Sequence, residues 1–265
     1  MVRRRKYLSL RMGEGAGNRI DDSTLDLMSE KSAGMSIANL EQVIEAAGRA
    51  AARKDTPITA EMLLEALDTA REGEAKEWSP QFLESTARHE AGHTVMYWLA
   101  GWWSPEVSIV ARAHHGGGMR RAEEEMKRES LTREELLANI RVCLGGRAAE
   151  VLCYGPDAGL TTGASGDLKH ATSIARQMIC RYGMTEEFGL LAAPELLQQA
   201  EALGSPLYEQ VSRLAARVLK EQMEQTLELL AEQRQELDSI ARELLKRNRL
   251  YRKELQDLLP PLPVR

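Results

Sequence analysis

Aromatic residues make up only 5% of the 265 positions, while Leu, Ala, Glu and Arg recur throughout. That palette favours helices and argues against a sheet-dominated fold. Cysteine is scarce too: Cys143, Cys153 and Cys180 form an odd set at no metal-like spacing. No disulfide framework is expected, and a reducing compartment is. No sign of charge dominates, with 35 Lys and Arg against 40 Asp and Glu for a net charge of -5. A chain built to coat nucleic acid needs a strong basic excess, so no nucleic-acid partner is expected. Long apolar runs are missing. The longest uncharged stretch, Ala91 to Pro105, contains a histidine and is too short to span a bilayer. With no signal peptide visible, a cytoplasmic location without a membrane segment is expected. The glycine-rich patch Gly13-Glu14-Gly15-Ala16-Gly17 fails as a phosphate cradle. A dinucleotide fingerprint requires glycine where Asn18 stands, and a P-loop requires Lys-Ser/Thr directly after a glycine.

What is present is helical patterning. The 43% hydrophobic content supports an ordinary core in one large domain or two modest ones. The basic run Arg3-Arg4-Arg5-Lys6 reads as a solvated tail or the outer face of a helix. Three short helices follow: one over Ser23–Lys31, one after Ser36, and one capped by Thr59 that stops at Gly73. Together they form a small helical subdomain over residues 1–75. Ser79-Pro80 opens a helix that runs to Ala100. Residues 107–121 alone have strand character, as a short strand or ribbon. The capping box Thr132-Arg133-Glu134-Glu135 starts a helix that reaches Tyr154, and another spans Gly166 to Tyr182. Apolar residues at three- and four-residue spacing from Val211 to Leu245 give a long helix or helical hairpin, interrupted near Arg247-Asn248. The fold class is therefore mainly α with a short β region, and the second domain covers residues 76–260.

The chemistry sits in His89-Glu90-Ala91-Gly92-His93, an HExxH motif inside the Ser79–Gly101 helix. Residues four apart share one helix face, so both imidazoles reach a single ion. Glu90, at the edge of that face, is placed to take a proton from an attacking water. Neutral imidazoles suit a borderline cation such as Zn2+. A catalytic zinc needs a third protein ligand. The residue types leave Glu150, Asp167, His170 and the pair His114/His115 as candidates. Asp167, in a first helical turn, is favoured there by the helix dipole even without a metal.

Four segments stand out, Thr86-Ala87-Arg88-His89-Glu90-Ala91-Gly92-His93, Leu144-Gly145-Gly146-Arg147-Ala148-Ala149-Glu150, Thr161-Thr162-Gly163-Ala164-Ser165-Gly166-Asp167-Leu168 and Tyr182-Gly183-Met184. In this order they resemble the peptidase domain of the FtsH-type ATP-dependent zinc proteases. The resemblance implies His89, His93 and Asp167 as zinc ligands and Glu90 as the catalytic base, with Glu150 orienting an imidazole. It further implies a zinc endopeptidase acting on unfolded proteins or peptides, and a homo-oligomer, specifically a hexamer. In a longer, membrane-anchored protease the chain would lie on the cytoplasmic side. Residues Ser32 to Leu40, followed by Glu45-Ala46-Ala47, are similar to the small helical lid of that family's AAA domain. P-loop, Mg-binding strand end and pore loop are missing from this sequence, so no ATPase activity is expected of it. The charged segment Gly116–Glu123 departs from the more apolar strand of the family. Two other readings use the same residues: a non-catalytic zinc-binding oligomerisation module, and a zinc hydrolase acting on a non-peptide amide.

Overall fold

The computed structural model describes residues 2–13, 20–112, 117–121, 130–157, 160–193 and 206–261. The described residues form ten helices and one small sheet, a mainly α architecture as the composition requires. They divide into two compact units, Met1–Glu77 with Ala111–His115, and Trp78–Val110 with Gly116–Arg265.

The first unit contains α1 (Val2–Gly13), α2 (Asp22–Lys31), α3 (Ile37–Lys54) and α4 (Ala60–Glu72). Side chains at Asp21, Ser36 and Thr59 cap the last three by accepting backbone N–H groups that the helix itself leaves unpaired. Gly73 ends α4 at φ 85°, a left-handed conformation that costs a side-chain-free residue nothing. The basic run is not a free tail. Arg5 pairs with Asp22 and Asp26, Arg11 with Glu41, and Arg4 donates to the Ser29 carbonyl, which ties α1 to its neighbours. Leu8, Met28, Leu40, Leu63 and Leu67 are buried in the core of this unit.

The second unit is built on α5 (Pro80–Leu99) and α6 (Arg133–Tyr154). Ser79 caps α5 with Pro80 at its first position, and the Thr132/Glu135 capping box starts α6. The helices α7 (Ser165–Cys180), α8 (Pro206–Glu232) and α9 (Arg234–Arg247) follow, and α10 (Arg252–Leu258) closes the fold. The periodic carboxy-terminal segment is thus two helices that break at Gln233. Asn248 ends α9 in the left-handed region at φ 61°.

Two apolar clusters organise the unit. One gathers Val95, Tyr97, Trp98, Val107, Leu237, Ile240 and Leu244; the other gathers Ile140, Leu144, Ala175, Ile179, Val211 and Leu214. Helix α6 contributes to both, through Val142, Ala148 and Ala149 on one side and Ile140, Cys143 and Leu144 on the other.

The sheet has three strands: β1 (Glu106–Ser108), β2 (Gly118–Met119) and β3 (Arg249–Tyr251), in the order β2-β1-β3. Both pairings are antiparallel, with Val107 opposite Met119 and Leu250. The expected ribbon supplies β1 and β2. The third strand, β3, lies just beyond the helical interruption and was not anticipated. Buried Glu106 binds it electrostatically: its carboxylate receives Arg120 Nε and Arg249 Nε, each at 3.1 Å, one from each flank of β1. No described helix is long and apolar enough to cross a membrane.

Candidate metal centre

Helix α5 is buried from Thr86 to Trp98, apart from half-buried Arg88. This position brings the HExxH residues against α6. The contact is backbone to backbone. A Cβ on Gly92 would lie 2.3 Å from the Gly145 carbonyl oxygen, and one on Gly145 would lie 2.7 Å from the Gly92 carbonyl oxygen. A Cβ on Gly146 would sit 2.4 Å from the His89 ring. Gly92 and Gly145 therefore let the two backbones meet, and Gly146 leaves the space in which the first imidazole stands. Each costs a helix about 0.5–1 kcal/mol relative to alanine, and the close approach is what offsets that cost.

Both imidazoles are fixed from behind. His93 Nδ1 lies 2.6 Å from the Val142 carbonyl oxygen, which can only accept, so Nδ1 carries the proton. His89 Nδ1 lies 2.8 Å from Glu150 Oε1 and donates to that carboxylate. In the neutral rings both Nε2 atoms then present lone pairs. They face each other at 3.0 Å, and Asp167 Oδ2 lies 3.3 Å from the first and 3.4 Å from the second. One ligand atom from each of the three side chains thus lies within 4.8 Å of the other two.

Three converging acceptors are mutually repulsive unless a cation stands between them. Zinc bonds of about 2.0–2.1 Å in a tetrahedron place ligand atoms about 3.3 Å apart, so the donor set fits such an ion. A proton meets the same demand. Burial alone would disfavour charge on His89, but its hydrogen bonds to Asp167 and Glu150 and the nearby Glu90 charge outweigh it, and the imidazole is raised to about 10. Burial likewise opposes ionisation of Asp167, yet hydrogen bonds from His89 and His93 hold its carboxyl far below the usual range. Glu150 is also lowered, with contact to His89 outweighing burial.

Glu90 is buried beside this cluster. Its Oε1 would stand 3.2 Å from a Cβ on Gly117, next to the Ser108 carbonyl and the Thr86 methyl. The backbone that enters edge strand β2 therefore passes close to this carboxylate. Glu150 contacts the His89 nitrogen opposite the convergence point. His170 lies exposed on α7, and His114 and His115 fall outside the described residues. Reading the motifs alone missed the Val142 carbonyl and the glycine contact. The pair Gly145-Gly146 within a helix was the available signal, since two poor helix formers side by side mark a close approach.

The family model described as "Peptidase family M41" matches residues 77–258. A protein of Sphaerobacter thermophilus named "ATP-dependent zinc metalloprotease FtsH 2" is 36% identical over 256 residues, which cover 92% of this chain and 38% of that protein. The Mycobacterium tuberculosis (strain H37Rv) protein "ATP-dependent zinc metalloprotease FtsH" is 33% identical over 262 residues, covering 89% of this chain and 33% of its own length. A protein of the same name from Thermotoga maritima is 30% identical over 258 residues, covering 90% and 41%. The chain spans less than half the length of these relatives.

Proposed function

Because the chain belongs to peptidase family M41, we propose that it is a zinc-dependent endopeptidase. In this reading His89, His93 and Asp167 hold the ion, and Glu90 is the general base. The observation that carries it is the convergence of two imidazole Nε2 atoms and a carboxylate oxygen, with both opposite ring nitrogens engaged by fixed acceptors. A zinc ion bound there supplies Lewis acidity, lowering the pKa of water towards neutrality and polarising a carbonyl.

The chain's own residues do the rest. The Glu90 carboxylate takes a proton from the water as its oxygen attacks the peptide carbonyl carbon. As the C–N bond breaks, the same carboxyl group delivers that proton to the departing amine. Val142 and Glu150 keep both imidazoles in the tautomer whose Nε2 is free to bind.

The first unit is read as the small helical part of an AAA ATPase domain, on the resemblance of residues 32–47. Substrates are read as unfolded or loosely folded polypeptides, and the working form as a homo-oligomer of six copies on the cytoplasmic side. Metal analysis of the purified chain, together with casein cleavage, tests the reading. Zinc in near-stoichiometric amount with cleavage is expected. Glu90→Gln should retain the zinc and lower the cleavage rate by about 100- to 10,000-fold. Near-normal cleavage by that variant would remove Glu90 from its role.

A further inference from the structure

The candidate ligands come from elements far apart in sequence, His89 and His93 on α5 and Asp167 on α7. A single polar network links the elements that carry them, apart from the ligand atoms themselves. Glu150 Oε1 accepts from His89 Nδ1 at 2.8 Å and from the Thr161 hydroxyl at 3.1 Å. The same hydroxyl oxygen accepts the Gly163 N–H at 3.2 Å and so caps the 3-10 turn Thr162–Ala164, which runs straight into α7 and Asp167. Arg147, one turn before Glu150 on α6, donates from Nη2 to the Thr161 carbonyl at 2.6 Å. Its Nε stands 3.4 Å from Glu150 Oε2, and these two buried atoms have no hydrogen-bond partner among the described residues.

We propose that Thr161 and Arg147 are positioning residues that lock Glu150 and the segment 161–167 into one frame. His89 and Asp167 are then presented to the metal as a pre-set pair. This rests on the ligand assignment proposed above. The physical case is one of buried charge: a carboxylate out of water needs hydrogen-bond donors and a nearby cation, and here one oxygen takes the donors while the other faces the guanidinium at ion-pair distance. His89 and Thr161 supply Oε1, and Arg147 faces Oε2. Without the threonine hydroxyl, Glu150 loses the contact that fixes its rotation, and the turn that aims Asp167 loses its cap. Arginine has a fork that reaches the Thr161 carbonyl and the carboxylate together; lysine has one ammonium and cannot serve both.

The test uses the full chain loaded with cobalt(II), whose visible absorption reports ligand geometry, and chelator competition for cobalt(II) and zinc affinity. Thr161→Val should weaken metal binding by about 10-fold or more and alter the cobalt spectrum, while Thr161→Ser restores both. Arg147→Ala should behave like the valine variant, with Arg147→Lys intermediate, and this pair carries the test even where Thr161→Val folds poorly. Adding Thr161→Val to Glu150→Ala should cost little more than Glu150→Ala alone, because the residues act as a unit. Wild-type affinity and spectrum in Thr161→Val and Arg147→Ala, or a serine variant no better than valine, would overturn the proposal. A wild-type chain that binds neither metal would sink the ligand assignment and this inference with it; indifferent variants of a metal-binding wild type sink the inference alone.

Discussion

In the first unit Lys31, only 1% exposed, meets Asp68 at 2.8 Å, while Arg112 pairs with Glu65 and lies within 4.0 Å of Asp68 and Glu72. In the second unit the carboxylates of Glu90, Glu150 and Asp167 surround two imidazoles, with Arg147 behind Glu150. Both clusters bury charge, but they are balanced differently. The first interleaves cations with anions, so that each of its carboxylates lies within 4.0 Å of an ammonium or guanidinium. The second collects acceptors at one point and stays short of positive charge until a proton or metal arrives. Buried charge alone therefore does not mark a site; a surplus of one kind of donor atom around a common centre does.

The largest contrast comes from removing one member of each cluster. Lys31→Ala takes the ammonium away from the buried Asp68 carboxylate and should cost about 3–5 kcal/mol in urea unfolding, with the zinc content of the folded fraction unchanged. Asp167→Ala should do the reverse, releasing zinc at chelator concentrations that wild type withstands while leaving the fold intact. His170→Ala is the neutral control. Zinc loss in Lys31→Ala, or retention in Asp167→Ala, would erase the distinction.

Proton competition sharpens it next. His89 is raised to about 10, so below that pH the metal-free imidazole carries a proton that zinc must displace. Zinc affinity should accordingly rise with pH, by about tenfold per unit between pH 6 and 8 for one proton released. Calorimetry in buffers of different ionisation enthalpy reads the proton directly, and a pH-independent affinity would contradict the charge deficit.

The smallest expected effects concern glycine. Gly92→Ala drives a methyl group into the α6 backbone and should cost about 1–3 kcal/mol along with metal affinity. Gly48→Ala in α3 meets its first neighbour at 3.9 Å and should stabilise by about 0.4–1 kcal/mol. Thermal melts of the two variants decide the comparison.

Much of this was legible in the sequence because local rules sufficed. Ser79-Pro80 and the Thr132/Glu135 box start α5 and α6 where side-chain chemistry alone dictates, and Gly155 closes α6 at φ 85°. The four-residue spacing of His89 and His93 puts them on one face whatever surrounds the helix. The third contributor was not local. Asp167 could be picked out only by resemblance, because its meeting with the histidines depends on how α7 packs, which no periodicity encodes. Strand β3 was hidden for the same reason: Arg249-Leu250-Tyr251 is too short to show alternation and becomes a strand only by pairing with β1. Thr161 and Arg147 look like ordinary loop and helix residues until Glu150 is seen between them.

The order of that sheet also sets a timetable. Strand β1 lies centrally, yet its partner β3 comes from beyond α9, so on the ribosome β1 emerges long before β3 exists to pair with it. A nascent chain that already carries both histidines, Glu90 and Asp167 still lacks the strand that fixes the sheet next to Glu90. Synthesis must reach Tyr251 before that sheet can be completed, so His89, Glu90, His93 and Asp167 gain their finished scaffold only well after the last of them has been made.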